Sequence, residues 1–153
     1  MGFTTPNGTR GARQPGGVPL RLANSFFTRR IRKRGKLTGD SDGLVLTVIG
    51  RKSGERRSTP LMWFPAADGS RLIVASAAGA RRNPGWYYNI AANPDRVQIE
   101  IGGRTIPVTA VQLHGEEREA AWRVITADSA RFVEYQQKTD RELPVIRLIE
   151  QTT

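Results

Sequence analysis

Gly50-Arg51-Lys52-Ser53-Gly54 sets two cations between glycines, and Arg56 and Arg57 follow almost at once. Glycine permits positive backbone dihedrals, so such a turn can converge N–H groups and charge on one anion. A plain basic hairpin turn is the competing reading of the same residues. Farther on, Ala75-Ser76-Ala77-Ala78-Gly79-Ala80 carries no bulky side chain. Small residues after a strand let the backbone approach a planar ligand; a loose loop is the alternative. Asn83-Pro84-Gly85-Trp86-Tyr87-Tyr88-Asn89 then joins a helix start to three aromatics. The first N–H groups of a helix have no partner within it and attract anions, whereas the aromatics alone suit a core. Taken together, Gly50 to Asn93 suits a flat ring system with an anionic tail.

Other chemistry is excluded or unsupported. The chain has no cysteine, which rules out disulfides, thiolate metal sites and a thiol nucleophile. One histidine, His114, rules out a multi-histidine metal centre, so no metal site is expected. There is no Walker loop, no dinucleotide fingerprint and no nucleophile elbow. The acids are scattered, with no pair placed for acid–base hydrolysis.

The formal charge is +10 and the pI near 11.1, which points to an anionic partner. Nucleic acid, an acidic membrane face and a phosphorylated cofactor all qualify, though for nucleic acid charge is the whole argument. No acidic residue precedes Asp40, while nine arginines and lysines do. No apolar run reaches transmembrane length and the amino end lacks a signal-peptide core. The expectation is a cytoplasmic protein, with contact at the inner face of the membrane as its one further location.

At 153 residues one domain is expected, with Met1 to Pro19 a flexible Gly-, Pro- and Arg-containing tail and residues 20–153 the folded unit. Leu20, Ala23, Phe27 and Ile31 recur at helical spacing, predicting an amphipathic helix over 20–35 with cations crowding its last turns. That helix packs on the domain, or lies on an anionic membrane with Leu22 and Phe26 dipping in, or contacts nucleic acid. A loop at Gly39–Gly43 is followed by strands over Leu44–Ile49, Arg57–Phe64 and Arg71–Ser76, read as an antiparallel meander. Pro60 argues for an edge or a bulge in the second. Asn83 is expected to cap a helix that begins at Pro84 and ends near Asn93. Asp95–Ile101 alternates cleanly, and Gly102-Gly103 predicts a tight hairpin into Arg104–Leu113. Helices over Glu116–Thr126 and Ser129–Lys138 and a strand over Pro144–Ile149 complete an α+β domain, a small antiparallel barrel with helices at its rim.

Gly50–Gly54, Thr59-Pro60-Leu61, Ala75-Ser76, Asn83–Asn89 and Ala92-Asn93-Pro94, in that order and spacing, resemble the deazaflavin-dependent nitroreductase family of actinobacteria. The likeness runs on through Gly102-Gly103-Arg104, Glu116-Glu117-Arg118, Trp122, Tyr135-Gln136, Thr139-Asp140-Arg141 and Pro144. It implies a split β-barrel of the FMN-binding type that binds reduced coenzyme F420, in preference to FMN, and passes hydride to a quinone or a nitro-aromatic compound. Carried over by position, Arg51 and Lys52 would grip the phosphate or the glutamate tail, with Arg57 near the mouth. Ala75 and Ser76 would line the ring, and Pro84, Trp86, Tyr87 and Asn89 the opposite wall. Met62, Phe132 and Tyr135 would border the acceptor, and Ser76 or Tyr135 would orient or protonate it. Met62, Ser129 and Phe132 occupy positions that are aromatic in the best-known nitroreductases, and only Tyr135 keeps a tyrosine hydroxyl at that wall. Related split barrels bind flavin or a lipid instead, so a lipid- or membrane-binding barrel without redox turnover is the alternative. Oligomeric state is left open.

Overall fold

The computed structural model describes residues 2–37 and 41–152. Gly39 and Asp40 of the expected loop therefore lie outside the described residues, as do Met1 and Thr153. Among the described residues four α-helices accompany one sheet: α1 (Gly17–Arg34), α2 (Gly85–Ala92), α3 (Gly115–Asp128) and α4 (Arg131–Lys138). The strands are β1 (Gly43–Ile49), β2 (Arg56–Met62), β3 (Phe64–Pro65), β4 (Arg71–Val74), β5 (Val97–Ile101), β6 (Arg104–Gln112) and β7 (Val145–Glu150).

All neighbours pair antiparallel, in the order β2-β1-β5-β6-β7-β4-β3. The expected meander is thus only half right. The β1–β2 and β3–β4 hairpins form, but they sit at opposite edges of the sheet, because β4 pairs with β7 (Ile73 opposite Ile146) rather than with β2. Pro60 does lie on an edge strand, where its missing N–H leaves no gap in a ladder.

Alternation decides which faces turn inward. In β5 Val97 and Ile99 are buried while Gln98 and Glu100 face out. In β6 Ile106, Val108, Ala110 and Gln112 are the buried set. Gly102 and Gly103 both take positive φ, 57° and 76°, as a two-residue hairpin turn of matching twist requires. Leu44, Leu46, Ile73, Ile99, Ile146 and Leu148 lose all solvent exposure inside the curled sheet. Burial of each contributes about 1.5–3 kcal/mol. A second apolar cluster, including Phe64, Leu72, Ile125, Phe132 and Leu143, joins α3 and α4 to the β3–β4 edge.

The amino-terminal segment differs from a free tail. Gly8 donates to the Arg81 carbonyl at 2.8 Å and Ala12 to that of Gly79 at 2.9 Å. Thr5 donates to the Tyr87 hydroxyl at 3.2 Å and its own carbonyl accepts from Asn83 at 3.1 Å. Thr9 hydrogen-bonds Asp140 through backbone and side chain. At Gly11 a Cβ would come within 2.3 Å of the Arg81 nitrogen, so only glycine allows this approach. The segment is a strap, and α1 begins at Gly17 rather than Leu20.

Candidate functional site

The strap and α1 roof a cavity of about 700 Å³ between the β1–β2 hairpin and α2. Val48, Leu61, Val74 and Trp86 supply apolar wall, and Ser76, Ala77 and Ala78 a wall of small side chains. Three arginines, Arg51, Arg57 and Arg82, line it; among the described residues no carboxylate and no histidine does.

The hairpin turn explains how Arg51 is placed. Gly50 donates to the Glu55 carbonyl at 2.7 Å and Gly54 to that of Gly50 at 2.8 Å, closing the loop, with Gly54 at φ 73°. Asn89, buried on α2, accepts from the Arg51 backbone at 3.1 Å and from its guanidinium at 2.9 Å. The same guanidinium lies 5.3 Å from the Tyr88 ring centre. Three of the turn's five backbone N–H groups are therefore engaged within the protein. Side-chain charge, rather than a nest of free N–H groups, is what this turn offers an anion.

The small-residue loop is held from behind. Ala77 and Ala78 have φ of 45° and 55°, left-handed values that cost non-glycine residues roughly 1–2 kcal/mol each. Backbone of this kind persists where its surroundings over-determine it. Here the cause is Arg141, 2% exposed, which donates to the carbonyls of Ala75 at 3.0 Å, Ser76 at 2.9 Å and Ala80 at 3.0 and 3.2 Å. It also donates to Asn83 Oδ1 at 2.5 Å. Burial, the largest influence, pushes the Arg141 pKa below the usual arginine value, against the pull of Tyr88 and Tyr87. Among the described residues no carboxylate forms an ion pair with it.

Of the residues singled out in the sequence, Arg51, Arg57, Ser76, Pro84, Trp86 and Asn89 come together on the cavity. Lys52 is exposed on the turn, and Ala75 is fully buried behind Ser76; neither is among the lining residues. Tyr87 is 2% exposed and points its hydroxyl at Gln112, 2.6 Å away. Met62, Phe132 and Tyr135 belong to the second apolar cluster, where Phe132 packs edge-on to Phe64 and Tyr135 at 5.7 Å each. Tyr135 stands against the Ala77–Gly79 turn: a Cβ on Gly79 would meet its carbonyl at 2.5 Å. Asn83 does not cap α2. Pro84 holds that position, and the Asn83 side chain, 3% exposed, bridges the strap and Arg141. Sequence reasoning missed Arg82, Gln14 and Asn24 as lining residues and gave Arg141 no role. Arg141 lies between Asp140 and Glu142, so nothing local marks it as buried.

The curled antiparallel sheet, with an apolar-walled, cation-lined cavity beside its first hairpin, places the chain among the split-barrel proteins. A family model for F420H(2)-dependent quinone reductase matches residues 20–150, and the chain belongs to this family. An F420H(2)-dependent quinone reductase of Mycobacterium tuberculosis is 37% identical over 134 residues, 84% of this chain and 88% of that one. A solved F420-H2 dependent reductase, FDR-A, is 39% identical with a TM-score of 0.63, covering 69% of this chain and 92% of its own. Another solved structure, described as a domain-swapped dimer, is 34% identical with a TM-score of 0.65 over 86% and 99%.

Proposed function

We propose that this protein takes hydride from reduced coenzyme F420 and delivers it to a quinone. The observation that carries this reading is the charge of the cavity: three arginines and, among the described residues, no carboxylate around apolar walls. Such a lining suits a flat ring whose tail is anionic, and its volume falls within the usual range for small-molecule sites. The reduced deazaflavin supplies the hydride when bound, and a quinone then needs one proton to become the hydroquinone. Arg51, set by Asn89, and Arg57 would hold the tail phosphate and carboxylates. Ser76 would face the ring and the acceptor. Its place on the wall supports Ser76 over Tyr135 as the group that touches reacting atoms. With no carboxylate or histidine among the described residues that line the cavity, the proton would come through neutral hydroxyls or solvent. Met62, Phe132 and Tyr135 would shape the acceptor side from the second apolar cluster. Family membership favours this redox reading over a lipid-binding barrel.

Anaerobic mixing with F420H2 and menadione tests the proposal. Oxidised deazaflavin fluorescence should return with protein present, and no rise above the uncatalysed rate would overturn it. Nitro-aromatic reduction is a separate expectation, read in the same assay with a nitro-aromatic acceptor.

Among the described residues no helix is long and apolar enough to cross a membrane. On α1, however, Val18, Leu22 and Phe26 recur every four residues and are 54, 67 and 60% exposed, with Arg30 and Lys33 next along that side. This supports peripheral docking on an anionic bilayer, where apolar acceptors reside. Sedimentation with phosphatidylglycerol vesicles should be lost in Leu22→Ser/Phe26→Ser; retained binding would refute it.

A further inference from the structure

A second hollow, of about 520 Å³, runs along the outer side of α1 where it crosses β2. Arg21, Ser25, Thr28 and Arg32 follow at steps of four, three and four, so they share one helix face. Arg29 sits beside them, and the exposed Ser58 of edge strand β2 forms the other bank. Arg32 is fixed by two hydrogen bonds to Glu100, at 3.0 and 2.9 Å. Among the described residues Arg21 and Arg29 have no carboxylate within ion-pair distance. Asn24 and Ser58 line this hollow and the main cavity alike, so the two adjoin at these residues. The arginines of the main cavity thus lead into a second cationic surface.

We propose that this α1–β2 groove is a binding site for the flexible polyanionic tail of the ligand whose ring occupies the main cavity. The inference rests on the cofactor reading above and extends it to residues outside the cavity. From Arg21 to Arg32 the helix rises roughly 16 Å, room for several successive anionic units. Hydroxyls of Ser25, Thr28 and Ser58 donate to carboxylate or phosphate oxygens between the cations. Each exposed cation contributes little alone, and several along one chain add up to a salt-sensitive hold. A solvated helix face with no ligand is the competing explanation, and it predicts no dependence on the tail.

The test uses the full chain and two probes, followed by ring fluorescence: coenzyme F420 with its oligoglutamate tail, and the deazaflavin riboside lacking phosphate and glutamates. Arg21→Gln/Arg29→Gln removes both charges while keeping good helix formers. The double variant should bind the tailed probe about tenfold more weakly and the tail-less probe within about twofold of wild type, by the scale of exposed ion pairs. Its affinity for the tailed probe should also fall less steeply with salt. Equal losses for both probes, or none, would overturn the groove while leaving the cavity reading intact. Wild-type protein that binds neither probe would overturn both. If Arg21→Gln/Arg29→Gln loses only its binding to phosphatidylglycerol vesicles, the groove faces lipid headgroups and the proposal fails. Should the double variant misfold, Arg21→Gln and Arg29→Gln singly must each show part of the tail-specific loss, and their failure to do so refutes it.

Discussion

Two sets of arginines meet at the Ala75–Ala80 loop, and their surroundings set them opposite tasks. Arg51, Arg57 and Arg82 are exposed and line a cavity that, among the described residues, holds no carboxylate. Arg141 is buried on the far side of the same loop and gives its hydrogen bonds to carbonyls and Asn83. An exposed guanidinium keeps much of its hydration, so its charge stays available to a ligand and is screened by salt. A buried one has lost that hydration and is tolerated only if its donors are satisfied. Outer charge is therefore left open to solvent at the cavity, while inner charge shapes the cavity wall. The left-handed Ala77 and Ala78 are the visible result of the second task.

Removing the inner charge should have the largest effect. Arg141→Met leaves several carbonyls and Asn83 without their donor, at a cost of roughly 3 kcal/mol or more, since each orphaned buried group costs about 1–3 kcal/mol and the losses are not additive. For a chain of this size that lowers Tm by roughly 6–12 °C. Arg141→Lys keeps a charge but not the planar fork and should fall between. Thermal unfolding decides it, and a change in Tm below about 2 °C for Arg141→Met would mean the loop does not depend on this side chain.

At the rim the sharper contrast is between neighbours. Arg51 points onto the cavity under the control of Asn89, whereas Lys52 is exposed outside the lining. Arg51→Ala should weaken cofactor binding by about 10- to 150-fold, the worth of one charge-assisted contact. Lys52→Ala should change it less than about threefold, as a loosely held surface charge does. Tm should barely move in either. Fluorescence titration at low and physiological salt separates the two; equal losses would show that the turn acts through net charge rather than through the placement of Arg51.

The strands and the rim were legible because their signals are local. Period-two alternation in Val97–Ile101 and the paired glycines after it specify a hairpin without reference to the rest of the chain. Sheet order was not legible: the β4–β7 pairing joins Val74 to Val145 across α2, β5, β6, α3 and α4, and nothing within either run marks the other as its partner. The strap was missed for a related reason. Its composition signals a free tail, yet its partners, Asn83, Tyr87, Gln112 and Asp140, come from later elements. Arg141 shows the limit most plainly, since a charge between two acids carries no local sign that carbonyls from a distant loop will surround it.

The strap offers the smallest effect and the most specific pH signature. Asp140 accepts from the Thr9 hydroxyl and backbone and from the Arg10 backbone, and Thr9 chiefly holds its pKa down to about 2 from the ordinary aspartate range. A carboxylate with a depressed folded pKa stabilises the folded form fully above its unfolded pKa, and loses that contribution as pH falls through the folded one. Asp140→Asn should therefore raise amide exchange at Thr9 and Arg10 by a constant factor above about pH 4, where the wild-type carboxylate is charged in both states. Between about pH 4 and 2 the factor should shrink toward one, because wild type then loses the charge the variant never had. The global Tm should move little at neutral pH, as the group is fully exposed. A gap in exchange that stays unchanged down to pH 2 would mean that hydrogen-bond geometry alone, and not the carboxylate charge, ties the strap to the barrel.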